Sequence, residues 1–310
     1  ELTMQRLKIW LKAIRAPFLT ATIIPIVLGA VIAWAQYDTF HWGYFALALV
    51  GGVFVHIGVN LSNDYFDHLS RNDWNNQTPT PFSGGSRVIQ QGVIKPYQIL
   101  MAALISFALG SLIGLYLNYI LPGNVILYIG IAGVFLGFFY TASPIQIGYK
   151  GLGLGELATG LGFGPLMVVG SYYVQTGHLA TIPFLASVPV GLLIALVLYI
   201  NEFPDYEADK SVNKKTLPVA LGKEKAAYLF YGLLLSTYIY TVILVILGLM
   251  PIFGLITLLT FPLAIKIIRV TMAHKNQAYE LIPANASTIM VHLTFGACLI
   301  IAYVIDGWIF

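Results

Sequence analysis

Nine long apolar runs constrain what this chain can fold into more than any other feature. A membrane-spanning helix needs about 20 predominantly apolar residues, and runs of that kind cover roughly residues 14–35, 43–62, 97–118, 122–140, 153–175, 181–202, 226–248, 251–269 and 285–307. Of the 310 residues, 58% are hydrophobic and 9% charged, and the mean hydropathy is +0.81. That exceeds the apolar share of a soluble domain. In lipid a segment must satisfy its own backbone hydrogen bonds. The expectation is an all-α polytopic membrane protein, with nine transmembrane helices in a single bundle and one domain over residues 1–310.

The basic residues test that count. With the N-terminus in the cytosol, Arg6, Lys8, Lys12 and Arg15 open the chain, and Arg71, Arg87 and Lys95 follow the second run. Lys150 follows the fourth, Lys210, Lys214, Lys215, Lys223 and Lys225 the sixth, and Lys266, Arg269 and Lys275 the eighth. All 16 basic residues fall on one side, as the positive-inside rule requires. The C-terminus is then expected outside. A net charge of +3, spread along juxtamembrane positions, suits contact with the bilayer and excludes nucleic acid as a partner. The single cysteine, Cys298, rules out an intrachain disulfide.

Against this apolar background, acidic residues gather twice. The first group reads Asn63-Asp64-Tyr65-Phe66-Asp67, with Asp73 after it; the second reads Asn201-Glu202-Phe203-Pro204-Asp205-Tyr206-Glu207-Ala208-Asp209. An Asp at the centre of a spanning helix costs roughly 2.5–3.5 kcal/mol, so carboxylates in such a chain call for a reason. Both groups end a run, the second and the sixth, on the cytosolic side. Their recurrence four helices apart suggests two four-helix halves plus one helix.

Residues four apart share a helix face. Asn63 and Asp67 have that spacing, as do Asn201, Asp205 and Asp209 in turn. Asp64 points about 100° away from Asn63 and is expected to cap or to pair with a base. Asp73 joins the first line only if the helix ends near Ser70 and the chain folds back through Arg71 and Asn72. Glu202 and Glu207 are expected to be solvated, and His68 to be an interfacial residue. Oxygen ligands alone, without a histidine pair or thiolates, suit Mg²⁺, which is bound by a few carboxylates together with substrate phosphates. Two facing clusters would hold two ions around one diphosphate.

These residues resemble the UbiA superfamily of intramembrane prenyltransferases, over most of the chain. Asn63-Asp64-x-x-Asp67 with Asp73 is similar to the first aspartate-rich motif in the spacing of its 1,4-dihydroxy-2-naphthoate branch, whereas the 4-hydroxybenzoate branch has an Asp where this chain has Arg71. Asn201-x-x-x-Asp205-x-x-x-Asp209 with Lys215-Thr216-Leu217 resembles the second motif, and Gly84-Gly85-Ser86-Arg87, Tyr140-Thr141 and Tyr149-Lys150-Gly151 resemble further family segments. The resemblance implies nine helices and Mg²⁺-dependent transfer of an isoprenyl group from its diphosphate to a small aromatic quinone precursor. It implies Asn63, Asp67, Asp73, Asn201, Asp205 and Asp209 as metal ligands, with Asp67 and Asp205 central to catalysis. Arg87, Lys150 and Lys210 become candidates for the diphosphate, and Tyr140 for facing the allylic cation with its ring.

Other readings fit less well. A CDP-alcohol phosphotransferase would concentrate its aspartates in one compact motif, whereas here 138 residues separate Asn63 from Asn201. A cation-coupled transporter would carry its acids near the bilayer midplane. Archaeal glycerol-phosphate lipids and 4-hydroxybenzoate stay open as acceptors, and the prenyl length and oligomeric state are open too.

Overall fold

The computed structural model describes residues 2–309, and among them there is no strand, only an isolated bridge between Thr80 and Ser83. Fourteen α-helices are joined by turns and by two longer connections over 76–95 and 139–153: α1 (Leu2–Ala13), α2 (Thr20–Tyr37), α3 (Trp42–Leu69), α4 (Asn72–Asn75), α5 (Pro96–Ile120), α6 (Val125–Phe138), α7 (Leu154–Leu161), α8 (Met167–Thr176), α9 (Thr181–Asn201), α10 (Tyr206–Ser211), α11 (Leu217–Leu221), α12 (Lys223–Ile246), α13 (Phe261–His274) and α14 (Ile282–Ile309).

Eight helical segments among the described residues are long and apolar enough to cross a membrane: Ala16–Tyr37, Trp42–Leu69, Pro96–Ile120, Leu154–Thr176, Thr181–Asn201, Lys223–Ile246, Ile252–His274 and Ile282–Ile309. The run expected over 122–140 forms only the 14-residue α6. Pro122-Gly123 delays its start, and Gly123 has a left-handed φ of 65°. At 1.5 Å per residue α6 is about 21 Å long, shorter than the roughly 30 Å hydrocarbon core. Two other segments are composite. Gly162–Leu166 forms a π-helical turn between α7 and α8, where Pro165 lacks an N–H to donate. Ile252–Thr260 is a 3-10 run that feeds α13.

The core is uneven. Its largest apolar cluster draws Leu28 and Ile32 of α2 together with Tyr172 of α8, Leu193 of α9, Phe230 of α12, Ile267 of α13 and Phe295 of α14. Helix α3 packs chiefly on α5, and a smaller cluster joins Val88 and Ile89 of the 84–94 loop to Leu61 of α3 and Ile99 of α5. The first long helix is thus built into the core of the second half of the chain, so the packing does not divide into the two successive four-helix units the motif spacing suggests. The segments that follow α3 and α9 meet where α4 packs against α10.

Candidate active site

Helix α3 carries the first motif. Asn63 and Asp67 sit on consecutive turns, and the helix stops at Leu69. Arg71 then takes a left-handed conformation (φ 66°, ψ 9°), and the single turn α4 begins at Asn72. This reversal is the fold-back that Asp73 requires. Asp73 is 4% exposed and receives Gln90 Nε2 at 3.4 Å, while the Arg87 guanidinium donates to its backbone carbonyl. Gly85 touches the Asp73 carboxylate: a Cβ at this residue, which has φ +72°, would overlap it.

The second motif departs from the continuous helix its spacing suggests. Helix α9 ends at Asn201, a turn follows through Pro204, and α10 starts after Asp205. Proline has no N–H to give the carbonyl four residues back. That carbonyl, of Ile200, instead accepts from Asn285 Nδ2 of α14 at 3.2 Å. The same amide donates to Asn201 Oδ1 at 2.7 Å. Asn201 therefore faces α14, while Asp205 and Asp209 face the first motif. Asn76 Nδ2 donates to Asp205 Oδ1 at 2.6 Å and the Gly84 N–H to its Oδ2 at 3.2 Å. Asn72 Nδ2 donates to Asp209 Oδ1 at 2.8 Å, and Thr216 Oγ1 to Oδ2 at 3.4 Å. The motifs, 138 residues apart in sequence, thus share one hydrogen-bonded site.

Lys214 stands between them. Its Nζ lies 3.1 Å from Asp67 Oδ2 and 3.7 Å from Asp209 Oδ1. Tyr149 donates its hydroxyl to the other Asp67 oxygen at 2.7 Å, and the Lys214 ammonium lies 5.3 Å from the centre of its ring. Asp64 pairs with Arg15, as expected of a residue beside a base, and also accepts the Ser86 N–H at 3.3 Å. The Tyr140 ring is wedged against Gly148, where a Cβ would come within 2.9 Å of Cζ. Arg87 is half-buried, whereas Lys150 and Lys210 are exposed, Lys210 lying 5.8 Å from the Tyr206 ring centre. Glu207 is exposed, but Glu202 is not solvated: it is 5% exposed, and its Oε2 has no hydrogen-bond partner. The turn through Pro204 carries it inward. His68 accepts from Trp74 Nε1 at 2.9 Å.

Sequence reasoning gave no site role to Lys214, Tyr149, Asn72, Asn76 or Asn285. Lys214 precedes the quoted Lys215-Thr216-Leu217, and Tyr149 opens the quoted Tyr149-Lys150-Gly151. Asn72 and Asn76 belong to a polar stretch of unusual amide density, Asn72-Asp73-Trp74-Asn75-Asn76. Asn285 had no local signal.

The cluster holds a surplus of negative charge. Five carboxylates (Asp64, Asp67, Asp73, Asp205, Asp209) meet three cations, Arg15, Lys214 and Arg87, leaving 5 − 3 = 2 negative charges when all are ionised. Burial, then the charges of Asp67 and Asp64, holds the Asp73 carboxyl well above the usual range. Burial raises Asp205, against the opposing pull of Lys214. It raises Asp209 to about 7, again opposed by Lys214 and reinforced by Asp205. Among the described residues no three carboxylate, imidazole or thiol groups converge tightly enough to hold an ion as the side chains stand. The donors are nonetheless all oxygens, and their present partners include the rotatable amides of Asn72 and Asn76 and the flexible Lys214 side chain. An all-oxygen, negatively charged set fits a hard divalent cation such as Mg²⁺.

A multi-pass helical bundle with paired aspartate motifs at one end of α3 and α9 defines a class: integral membrane enzymes with an acidic site. The chain belongs to the UbiA prenyltransferase family, whose sequence model matches residues 22–288, and it is a prenyltransferase. It is 29% identical to 1,4-dihydroxy-2-naphthoate octaprenyltransferase of Bacillus subtilis (strain 168), over 93% of this chain and 89% of the relative. It is 33% identical to the Mycobacterium tuberculosis enzyme of the same name, over 76% of this chain and 78% of the relative. A UbiA homolog from Archaeoglobus fulgidus, solved bound to DMAPP and Mg²⁺, shares the fold with a TM-score of 0.63 at 15% identity, over 94% of this chain and 98% of that one.

Proposed function

We propose that this prenyltransferase moves an isoprenyl group from its diphosphate to 1,4-dihydroxy-2-naphthoate, in menaquinone-type quinone biosynthesis. The observation that carries this reading is the reversal at Arg71, which brings Asp73 beside Asp67 and suits the first-motif spacing of the naphthoate branch. The names of the relatives support the same acceptor. In the reaction the carbon–oxygen bond breaks and the diphosphate leaves with its electron pair, a bond forms between the allylic carbon and a ring carbon, and loss of an electrofuge from the ring, a proton or the carboxylate as carbon dioxide, restores its aromaticity.

Asn63, Asp67 and Asp73 from one side, with Asp205 and Asp209 from the other, would hold two Mg²⁺ ions, and Asn201, whose Oδ1 now accepts from Asn285, would join them on release of that bond. When bound, the ions supply the positive charge that neutralises the departing diphosphate. Lys214 is the base nearest both motifs and adds charge at the same place. Arg87 is fixed beside Asp73 and can reach a diphosphate from there. Lys150 and Lys210 stand at the rim. The Tyr140 ring, held in place by Gly148, offers an electron-rich face to the cation.

In the membrane we assign nine crossings, with α6 as the short ninth, the N-terminus and both motif loops in the cytosol, and the C-terminus outside. The one-sided distribution of Lys and Arg supports this arrangement.

The test is direct. The purified protein is incubated with Mg²⁺, geranylgeranyl diphosphate and a panel of 1,4-dihydroxy-2-naphthoate, 4-hydroxybenzoate and a prenylated glycerol phosphate, and the product is identified by mass. A prenylated naphthoate product, lost on chelation and in Asp67→Ala, is the expected result. Prenylation of another acceptor alone would displace the naphthoate assignment. Turnover unaffected by EDTA would remove the metal from the reaction.

A further inference from the structure

We propose that the Lys214 ammonium is a resident counter-ion of the metal site, bridging Asp67 and Asp209 before a divalent ion arrives and moving off them when it binds. The inference rests on the reading of these carboxylates as metal ligands and assigns Lys214 a part in that site's loading.

Three features support it. The first is position. Lys214 Nζ contacts carboxylates from both motifs, on α3 and α10, at 3.1 and 3.7 Å, and its side chain is 11% exposed. A divalent ion drawing on both motifs competes for those same oxygens. With Lys214 on Asp67 and Asp209, Asn72 on Asp209 and Asn76 on Asp205, no three carboxylates converge among the described residues.

The second is the contrast between a fixed backbone and a free stem. The Lys214 N–H donates to the Asp209 carbonyl at 2.8 Å and the Lys215 N–H to the Tyr149 carbonyl at 3.3 Å. The Leu217 N–H donates to Glu156 Oε1 at 3.0 Å. The loop is tied on both sides of Lys214, so displacement needs only rotation of its flexible four-carbon stem. The ammonium already lies over the Tyr149 ring, 5.3 Å from its centre, a contact it can keep after leaving the carboxylates.

The third is charge. With Arg15 engaged by Asp64 and Arg87 held at the Asp73 carbonyl, Lys214 is the cation paired with both Asp67 and Asp209, and no cation is paired with Asp205. One ammonium between Asp67 and Asp209 links the two motifs without neutralising the site. Incoming metal completes the neutralisation, and the displaced ammonium is then available to an anionic substrate.

The exchange makes a prediction that runs opposite to that for an ordinary ligand or scaffold residue: removing the Lys214 charge should tighten the binding of metal alone. Mg²⁺ binding is measured by calorimetry on the full-length protein in detergent, without diphosphate, for wild type, Lys214→Met, Lys214→Gln and Lys214→Arg. The Met and Gln variants should bind Mg²⁺ at least about 10-fold more tightly than wild type, since a competing buried charge is gone. The Arg variant should stay within a few-fold of wild type. Without metal, the Met and Gln variants should melt below wild type, and Mg²⁺ should close that gap. Inorganic diphosphate added with Mg²⁺ should bind more weakly to the Met and Gln variants. Equal or weaker Mg²⁺ binding in both Lys214→Met and Lys214→Gln overturns the inference. Failure of every protein, wild type included, to bind Mg²⁺ with or without inorganic diphosphate overturns the metal reading beneath it. The Gln variant keeps the polar stem, so the comparison survives if Lys214→Met fails to fold.

Discussion

At the scale of single residues, Asp67 is held through both of its carboxylate oxygens. One oxygen takes the Tyr149 hydroxyl at 2.7 Å and the other the Lys214 ammonium at 3.1 Å. The Tyr149 hydroxyl also meets Ser70 Oγ at 2.8 Å, at the end of the same helix. A hydrogen bond to a charged group is worth about 1.5–3 kcal/mol, so Tyr149→Phe should destabilise the metal-free protein by about 1.5 kcal/mol. The Asp67 carboxylate should also lose its orientation, lowering prenyl turnover about 10-fold; a melt and a single-turnover assay check the two effects separately. None of this was legible from helical spacing. Spacing placed Asn63 and Asp67 on one face, but Tyr149 lies 82 residues from Asp67 along the chain.

At the scale of elements, two helix endings build the site. Helix α3 reverses at Arg71 in a left-handed conformation, which costs an L-residue roughly 1–2 kcal/mol and costs most at a β-branched one. Arg71→Gly should leave Mg²⁺ affinity and turnover within a few-fold of wild type. Arg71→Val should displace Asp73 and weaken Mg²⁺ binding about 10-fold, as followed by a metal-dependent thermal shift. Equal behaviour of the two variants would mean that the reversal does not set the position of Asp73. Helix α9 ends because Pro204 cannot donate, and Asn285 takes the freed carbonyl of Ile200. The proline was plain in the sequence. Its consequence, that Asn201 turns towards α14 while Asp205 and Asp209 turn away, needed the position of a helix some eighty residues further on.

At the scale of the whole molecule, burial of the acidic cluster ties stability to pH. Asp73, Asp205 and Asp209 are raised by burial, Asp209 to about 7. In the unfolded chain they titrate near 4. Between about pH 4 and 7 the folded, metal-free state binds more protons than the unfolded state, so its stability falls as pH rises through that window. The metal-free protein should therefore melt at a higher temperature near pH 5.5 than near pH 8, and saturating Mg²⁺, which requires the ionised carboxylates, should raise the melt most at pH 8. A higher melt at pH 8 without metal would contradict the burial of these charges. The nine-crossing arrangement has its own test. In a Cys298→Ser background, single cysteines at Lys95 and Lys275 should react with an impermeant thiol reagent from the cytosolic side, and cysteines at Asp38 and Trp308 from the other. A mixed pattern would remove one crossing, with α6, at 14 residues, the first in question.

The sequence by itself determined the class of the molecule. Apolar runs in lipid have few choices besides helices, the basic residues mark one side, and two aspartate groups at matching ends of their runs define where the chemistry lies. Those properties are local: they depend on composition, on the 3.6-residue period and on the cost of charge in an apolar medium. Only the tertiary structure decided how the groups meet. It brought Asn72 and Asn76 against the second motif, set Lys214 between Asp67 and Asp209, and drew α2 into the core of the later helices. Each of these is a contact between segments far apart in the chain, fixed by how helix ends and loops pack, and no periodicity within a segment encodes it.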